Sequence, residues 1–167
     1  YFKLFCRLEI RGMENLPPSH EPYVLIANHQ SFLDVPLLLS VLPSQEFLFP
    51  LDSGIAQSPI MKRILPHIKE KVFVMDPTNP MAIRNLVKEV KAKPEKRIVI
   101  FPEGRITLTG SLMKVYSGAG MLADKTNAKI LPVRIDGLEF SKLSRLGSFA
   151  LPRSWFPKVR LTILPAT

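Results

Sequence analysis

The sequence predicts an α/β domain with a mostly parallel central sheet flanked by helices. Three observations lead there. Short apolar runs bounded by turn residues recur along the 167 residues. Several are continuous rather than alternating, as strands covered on both faces are. Between them lie stretches of helical periodicity, and strands alternating with helices make a parallel sheet. The length suits one domain, 1–167, with a proper core, and no repeat, low-complexity stretch or linker divides it.

Taken in order, Leu4–Ile10 alternates and reads either as an edge strand or as a helix leading into the fold. Tyr23–Ala27, "YVLIA", is a continuous apolar strand, and a helix is expected from near Ser31 through Leu42. Glu46–Phe49 and Lys71–Met75 read as two further strands. "PMAIRNLVKEVKAK" sets Ile83, Leu86, Val87 and Val90 on one helical face and Arg84, Lys88 and Lys91 elsewhere. Arg97–Phe101, "RIVIF", is again a buried strand. "LMKVYSGAGMLADKT" reads as a helix whose Ser117, Gly118, Ala119 and Gly120 permit close packing, and Lys129–Ile135 and Val159–Leu164 are the last strands. The sixteen prolines mostly punctuate element ends.

Composition narrows the function classes. Hydrophobic residues make up 46% and mean hydropathy is +0.12. Yet no apolar run approaches the roughly 18–20 residues that cross a bilayer. The longest, Phe32 to Leu42, is broken by Asp34, Pro36 and Ser40. A single cysteine, Cys6, excludes an intramolecular disulfide and a cysteine-based metal cluster, and it reads as a small buried residue. No metal site is expected. The chain begins at Tyr1 without a Met or a signal-like start, so it is expected to be part of a longer one.

Lys and Arg number 23 against 14 Asp and Glu, a net charge of +9, which calls for an anionic partner. Nucleic acid is disfavoured, because the aromatics are mostly Phe inside apolar runs rather than interleaved with cations. An anionic membrane surface fits better. "EFLFPL" and "SPIMKRILPHI" could dip into such an interface, the second carrying Lys62 and Arg63 beside Ile60, Met61, Ile64 and Leu65. Packing in the core is the equal alternative for both segments.

Two polar clusters interrupt otherwise apolar sequence. Asn28-His29-Gln30 leaves the carboxyl end of "YVLIA", and Asp34 follows His29 by five positions. Inside one continuous helix those two side chains would diverge by about 140°. If the chain turns at Ser31, the Asp34 carboxylate can fold back to the imidazole, fix its tautomer and leave the other ring nitrogen as a base. The spacing alone also allows a plain capping box from Ser31 to Asp34, with His29 a satisfied core histidine. The second cluster, "FPEGR", ends the strand Arg97–Phe101. There Arg105 offers a planar fork of donors for an anion, and Gly104 lets backbone approach. Alone it could be a surface turn. Two such clusters at the carboxyl ends of two strands favour one crevice, where ligands bind in parallel sheets.

These residues carry a resemblance. "NHQSFLD" matches the N-H-x4-D motif and "FPEGR" the F-P-E-G motif of the glycerolipid acyltransferases, with about seventy residues between them as in that family. "ILPVRIDG" is similar to the family's late proline-bearing strand, and Gly118 falls where the family has a glycine in the helix after F-P-E-G. More narrowly, "DPTNPMAI", "FPEGRITLTGSLMK" and "ILPVRIDG" resemble the acyltransferase domain of bacterial bifunctional 2-acylglycerophosphoethanolamine acyltransferase/acyl-ACP synthetases.

The resemblance implies a glycerol-phosphate acyltransferase-like fold. It also implies transfer of a fatty acyl group from acyl-ACP or acyl-CoA, with no other cofactor, to the hydroxyl of a lysophospholipid. The implied acceptor is lysophosphatidylethanolamine, with lysophosphatidate as the alternative. His29 would be the base and Asp34 its orienter. Glu103, Gly104 and Arg105, with Asn28 and Ser31, would bind substrate, and N–H groups around Gly104 would hold the oxyanion. Further implications are a linked acyl-ACP synthetase domain and a peripheral seat on the cytoplasmic face of the inner membrane.

Two features depart from the family. Arg105 follows Gly104 directly where many members have F-P-E-G-T-R, and "KVFVMDP" offers Asp76 and Pro77 where the second motif usually has an arginine. Arg84 or Lys71 could supply that charge. The competing classes are a hydrolase, which would want an absent G-x-S-x-G elbow, and a non-catalytic lipid-binding module.

Overall fold

The structure, a computed structural model, describes residues 2, 6–18, 20–42, 47–76, 78–79, 81–93, 97–147 and 153–167. The strands are β1 (Glu9–Arg11), β2 (Tyr23–Ala27), β3 (Phe47–Asp52), β4 (Val72–Met75), β5 (Arg97–Ile100), β6 (Lys129–Asp136) and β7 (Arg160–Ile163). Among them run the helices α1 (Asp34–Val41), α2 (Ser53–Ala56), α3 (Pro59–Ile68), α4 (Ala82–Ala92) and α5 (Gly118–Thr126). Among the described residues the seven strands form one sheet in the order β1-β7-β6-β2-β5-β3-β4. β6, β2, β5, β3 and β4 are mutually parallel. β7 pairs antiparallel with β6 and parallel with β1, so β1 and β7 run against the other five.

β2 shows why its apolar run does not alternate. Tyr23, Leu25 and Ala27 join a core cluster with Leu37 and Leu38 of α1 on one face of the sheet. Val24 joins Leu86 of α4 and Leu122 of α5 in a second cluster, with Ile26 packed against it. A strand covered on both sides has no solvent face to make polar. Pro36 sits in the first turn of α1, where its missing N–H is no loss. Cys6 is buried in the first cluster.

The alternating segment Leu4–Ile10 supplies part of an edge strand, since β1 lies at one end of the sheet; residues 3–5 lie outside the described residues, as does Glu46. The second helix is shorter than its pattern. Residues 112–117 are not helical, and α5 starts at Gly118. The reason is local: Met113 N–H donates to the Glu103 side chain at 2.8 Å and Tyr116 N–H to the Pro102 carbonyl at 2.9 Å, so the F-P-E-G loop takes donors a helix would need.

The two segments proposed for a membrane interface part company. Of "EFLFPL", residues 47–51 belong to β3, with Phe47, Leu48 and Phe49 buried in the two cores, so the core reading holds there. α3 covers "PIMKRILPHI", with Lys62, Arg63 and Ile64 exposed and Met61 and Leu65 half-buried.

Candidate active site

β2 and β5 are neighbours in register, Ile26 opposite Ile100, so the chain leaves both at the same edge of the sheet. Asn28 and His29 therefore emerge beside Phe101, Pro102 and Glu103. α1 begins only at Asp34, and His29 precedes it in the turn. His29 Nδ1 and Asp34 Oδ2 are 2.7 Å apart. Asp34 is wholly buried, whereas the His29 side chain is 20% exposed, enough to present its other nitrogen. The same Asp34 oxygen accepts the N–H groups of Gln30 at 2.7 Å and Ser31 at 2.9 Å. The N-cap position of α1 is Leu33, with no side-chain cap, so the capping box expected from Ser31 to Asp34 does not form, and the carboxylate gathers the turn before the helix instead.

Burial pushes the Asp34 carboxyl above the ordinary aspartate range, against the pull of the His29 ring and the Ser31 and Gln30 N–H groups. Its other oxygen, Oδ1, is buried and accepts no hydrogen bond from the described residues. A carboxylate so placed gains from a positive partner, and an imidazolium is the partner in reach.

The main chain of His29 is clamped from the second motif. Its N–H donates to Glu103 Oε1 at 2.8 Å, and its carbonyl accepts the Thr107 N–H at 2.9 Å. Its ring stacks on Phe101, centroids 4.1 Å apart and planes 17° from parallel. Sequence reasoning missed Phe101 and Thr107 as supports. Phe101 had a signal, as the last residue of an apolar strand entering F-P-E-G. Thr107 had none.

The five residues expected on substrate divide. Glu103 lines the cleft but is buried, with one oxygen on the His29 N–H and the other on the Met113 N–H, so it braces the two loops. Asn28 closes a two-point clamp on β6, its amide donating to the Ile135 carbonyl and accepting the Ile135 N–H, both at 2.7 Å. Ser31 is buried, its hydroxyl 2.8 Å from that of Ser141. Partners distant in sequence engage all three, and they act on geometry. Gly104 and Arg105 are exposed and line the cleft. Gly104 adopts φ +69°, a turn conformation suited to glycine. Its N–H, however, donates to the Phe101 carbonyl at 3.0 Å, so it is not itself an oxyanion donor.

That cleft measures about 740 Å³ and lies across the carboxyl ends of β2, β5, β3 and β4. His29, Gly104 and Arg105 stand on one side, and Leu51, Ile55, Met75, Ile83 and Leu86 make an apolar wall. Gly118 lines it as the first residue of α5, where a Cβ would come within 3.4 Å of Ile83. Arg105 is the one Lys or Arg among the described lining residues. Arg84 and Lys71 lie outside the lining, and Asp76 is engaged by Thr78.

Residues 7–136, which include both motifs, match the Acyltransferase family. The chain belongs to that family. Among similar proteins, a chloroplastic 1-acyl-sn-glycerol-3-phosphate acyltransferase of Arabidopsis thaliana is 34% identical over 139 residues, 80% of this chain and 37% of that protein. The 1-acyl-sn-glycerol-3-phosphate acyltransferase alpha of Homo sapiens is 28% identical over 136 residues, 76% of this chain and 44% of that one. The chain therefore spans less than half the length of these curated relatives. The crystal structure of the 1-acyl-sn-glycerophosphate acyltransferase of Thermotoga maritima superposes with a TM-score of 0.71 at 23% identity, over 96% of this chain and 61% of that one. This likeness establishes the fold expected of an acyltransferase: a mostly parallel sheet with flanking helices.

Proposed function

We propose that this acyltransferase domain moves a fatty acyl group from a thioester, acyl-ACP or acyl-CoA, to the free hydroxyl of a lysophospholipid, with 1-acylglycerol-3-phosphate as acceptor. The observation that carries the reading is the 2.7 Å bond between His29 Nδ1 and a fully buried Asp34 beside an apolar cleft. With Nδ1–H donated to Asp34, Nε2 keeps its lone pair and takes the acceptor's hydroxyl proton as the oxygen attacks the thioester carbon. The C–S bond then breaks, and the proton passes from His29 to the departing thiolate. General-base assistance of this kind gives roughly 10²–10⁴-fold. Arg105 holds the acceptor's phosphate, and the apolar wall receives acyl chain. With the Gly104 N–H occupied, the oxyanion is served by neighbouring main-chain N–H groups of the Gly104 turn.

The choice of lysophosphatidate rests on the names of the relatives. A second acceptor, lysophosphatidylethanolamine, is favoured by one feature of the sequence: Asp76 follows β4 where a cation would suit a bare phosphate monoester. The short motifs resembling the bifunctional enzymes, with their linked acyl-ACP synthetase domain, support the same alternative. A peripheral seat on the cytoplasmic face of a bacterial inner membrane fits the net charge of +9 and the exposed Lys62, Arg63 and Ile64 of α3. Among the described residues no helix is long and apolar enough to cross a membrane.

The test is a purified assay offering lysophosphatidate and lysophosphatidylethanolamine separately, each with acyl-ACP and with acyl-CoA. Faster diacyl product from lysophosphatidate is expected. Preference for the ethanolamine lipid would reverse the choice of acceptor. Thioester hydrolysis alone would make the protein a hydrolase, and binding without turnover a lipid-binding module.

A further inference from the structure

Away from the cleft lining, the segment that follows β6 presents a surface the reaction does not use. Its main chain is tied to the His29 turn: Phe32 N–H donates to the Leu143 carbonyl at 3.2 Å, and the Ser31 and Ser141 hydroxyls are 2.8 Å apart. It is tied equally to the second motif's loop, since Gly147 N–H donates to the Leu108 carbonyl at 3.0 Å. It is also closed on itself, Lys142 N–H donating to the Ser154 carbonyl at 3.1 Å and Ser154 N–H to the Phe140 carbonyl at 2.8 Å. Phe32, Leu143, Trp155 and Phe156 thus belong to one framework that borders the turns carrying His29 and Arg105.

These four large apolar side chains face solvent: Phe32 is 53% exposed, Leu143 42%, Trp155 59% and Phe156 55%. Past Glu139, the charges along this segment have one sign. From 141 to 159 the sequence holds Lys142, Arg145, Arg153 and Lys158 and no Asp or Glu, and all four cations are exposed. Arg145 lies over the Phe32 ring, 5.3 Å from its centroid, so cation and aromatic share one patch.

We propose that this surface is a second lipid-docking face, distinct from α3, which seats on anionic phospholipid and turns the His29 side of the domain toward the bilayer. Exposed Trp and Phe beside Lys and Arg suit the headgroup region, where rings sit among the acyl-chain ends and cations meet phosphates. An acidic protein would satisfy the cations, but it gives no comparable reason for four exposed apolar side chains among them. The choice of a membrane rests on the lipid-acceptor reading, so the test uses vesicles without lysolipid or thioester, and its failure is separable from failure of the acyltransferase assay.

Trp155 is the single tryptophan of the sequence and reports directly. Its emission should shift to the blue on vesicles of phosphatidylcholine with phosphatidylglycerol, not on phosphatidylcholine alone, and brominated lipid should quench it. Lys142→Glu with Arg145→Glu should weaken vesicle binding by about tenfold or more, each basic residue near an anionic surface being worth about a factor of five. The milder Lys142→Gln with Arg145→Gln should lose less, with thermal melting unchanged in both. Lys62→Glu with Arg63→Glu on α3 should leave the Trp155 shift in place. The proposal is overturned if vesicles bind with Trp155 emission unchanged, or if the double Glu variant binds as the parent does. A carrier protein that shifts Trp155 where vesicles do not would assign the surface to an acidic protein instead.

Discussion

The two motifs meet at one cleft but are built in opposite ways. At 28–34, most polar groups are committed, with Gln30 Oε1 and Asp34 Oδ1 left buried without a partner among the described residues. Asn28 clamps β6, the His29 N–H and carbonyl are both taken, and one Asp34 oxygen gathers three donors. At 104–105 the chain is exposed, and Arg105 forms no ion pair with the described residues. The difference separates two demands. A proton transfer needs the base held within a fraction of an ångström, which a buried turn with its main chain bonded provides. A headgroup arriving from solvent needs a charge still free to meet it.

That contrast can be broken most severely at the imidazole. His29→Ala should lower kcat by roughly 10²–10⁴ with a melting temperature near the parent's. Asp34→Asn should fall by a similar factor, because an amide stabilises no imidazolium. Steady-state kinetics with parallel melts read both, and substantial turnover by His29→Ala would end the general-base assignment.

The exposed side should respond differently. Arg105→Ala should raise the acceptor KM by the equivalent of about 1.5–3 kcal/mol while kcat moves little. Arg105→Lys should recover little of it, lacking the planar fork. An unchanged KM in both variants would move phosphate recognition elsewhere in the cleft.

The smallest effect lies at the far end of the same strand. Tyr23, at the start of β2, is buried, and burial pushes its phenol from 10.0 up to about 12. The folded state therefore keeps a proton that the unfolded chain gives up. This contribution to stability is whole below pH 10 and drains away as pH rises toward 12. Tyr23→Phe should flatten that alkaline loss in urea unfolding at pH 9 to 11. An identical slope in the variant would mean that other groups cause it.

Legibility followed sequence distance. β2 was readable to the residue because its two-sided burial leaves a bare apolar run. The His29–Asp34 pair was readable because both residues sit in one short turn. Where partners lie far apart, the sequence was silent: Glu103 looked like a substrate ligand because nothing local announces an N–H 74 positions away. Ser31 likewise meets a hydroxyl 110 positions on. The shortened α5 has the same origin, its expected first turns being claimed by Pro102 and Glu103.

The position of β7 bears on how the chain reaches this arrangement during synthesis. Among the described residues β1 enters the sheet through β7 alone, Glu9 lying opposite Arg160, and the Arg160 guanidinium reaches back to Glu9 at 3.0 Å across 151 positions. β1 leaves the ribosome well before β7 and finds its partner only once β7 has emerged. Closing so long a loop is slow, because its entropy is lost before the contact can offset it. The five parallel strands can assemble before that, so the catalytic turns belong to the early part of the fold, and the pairing of β1 with β7 is the late step that seals it.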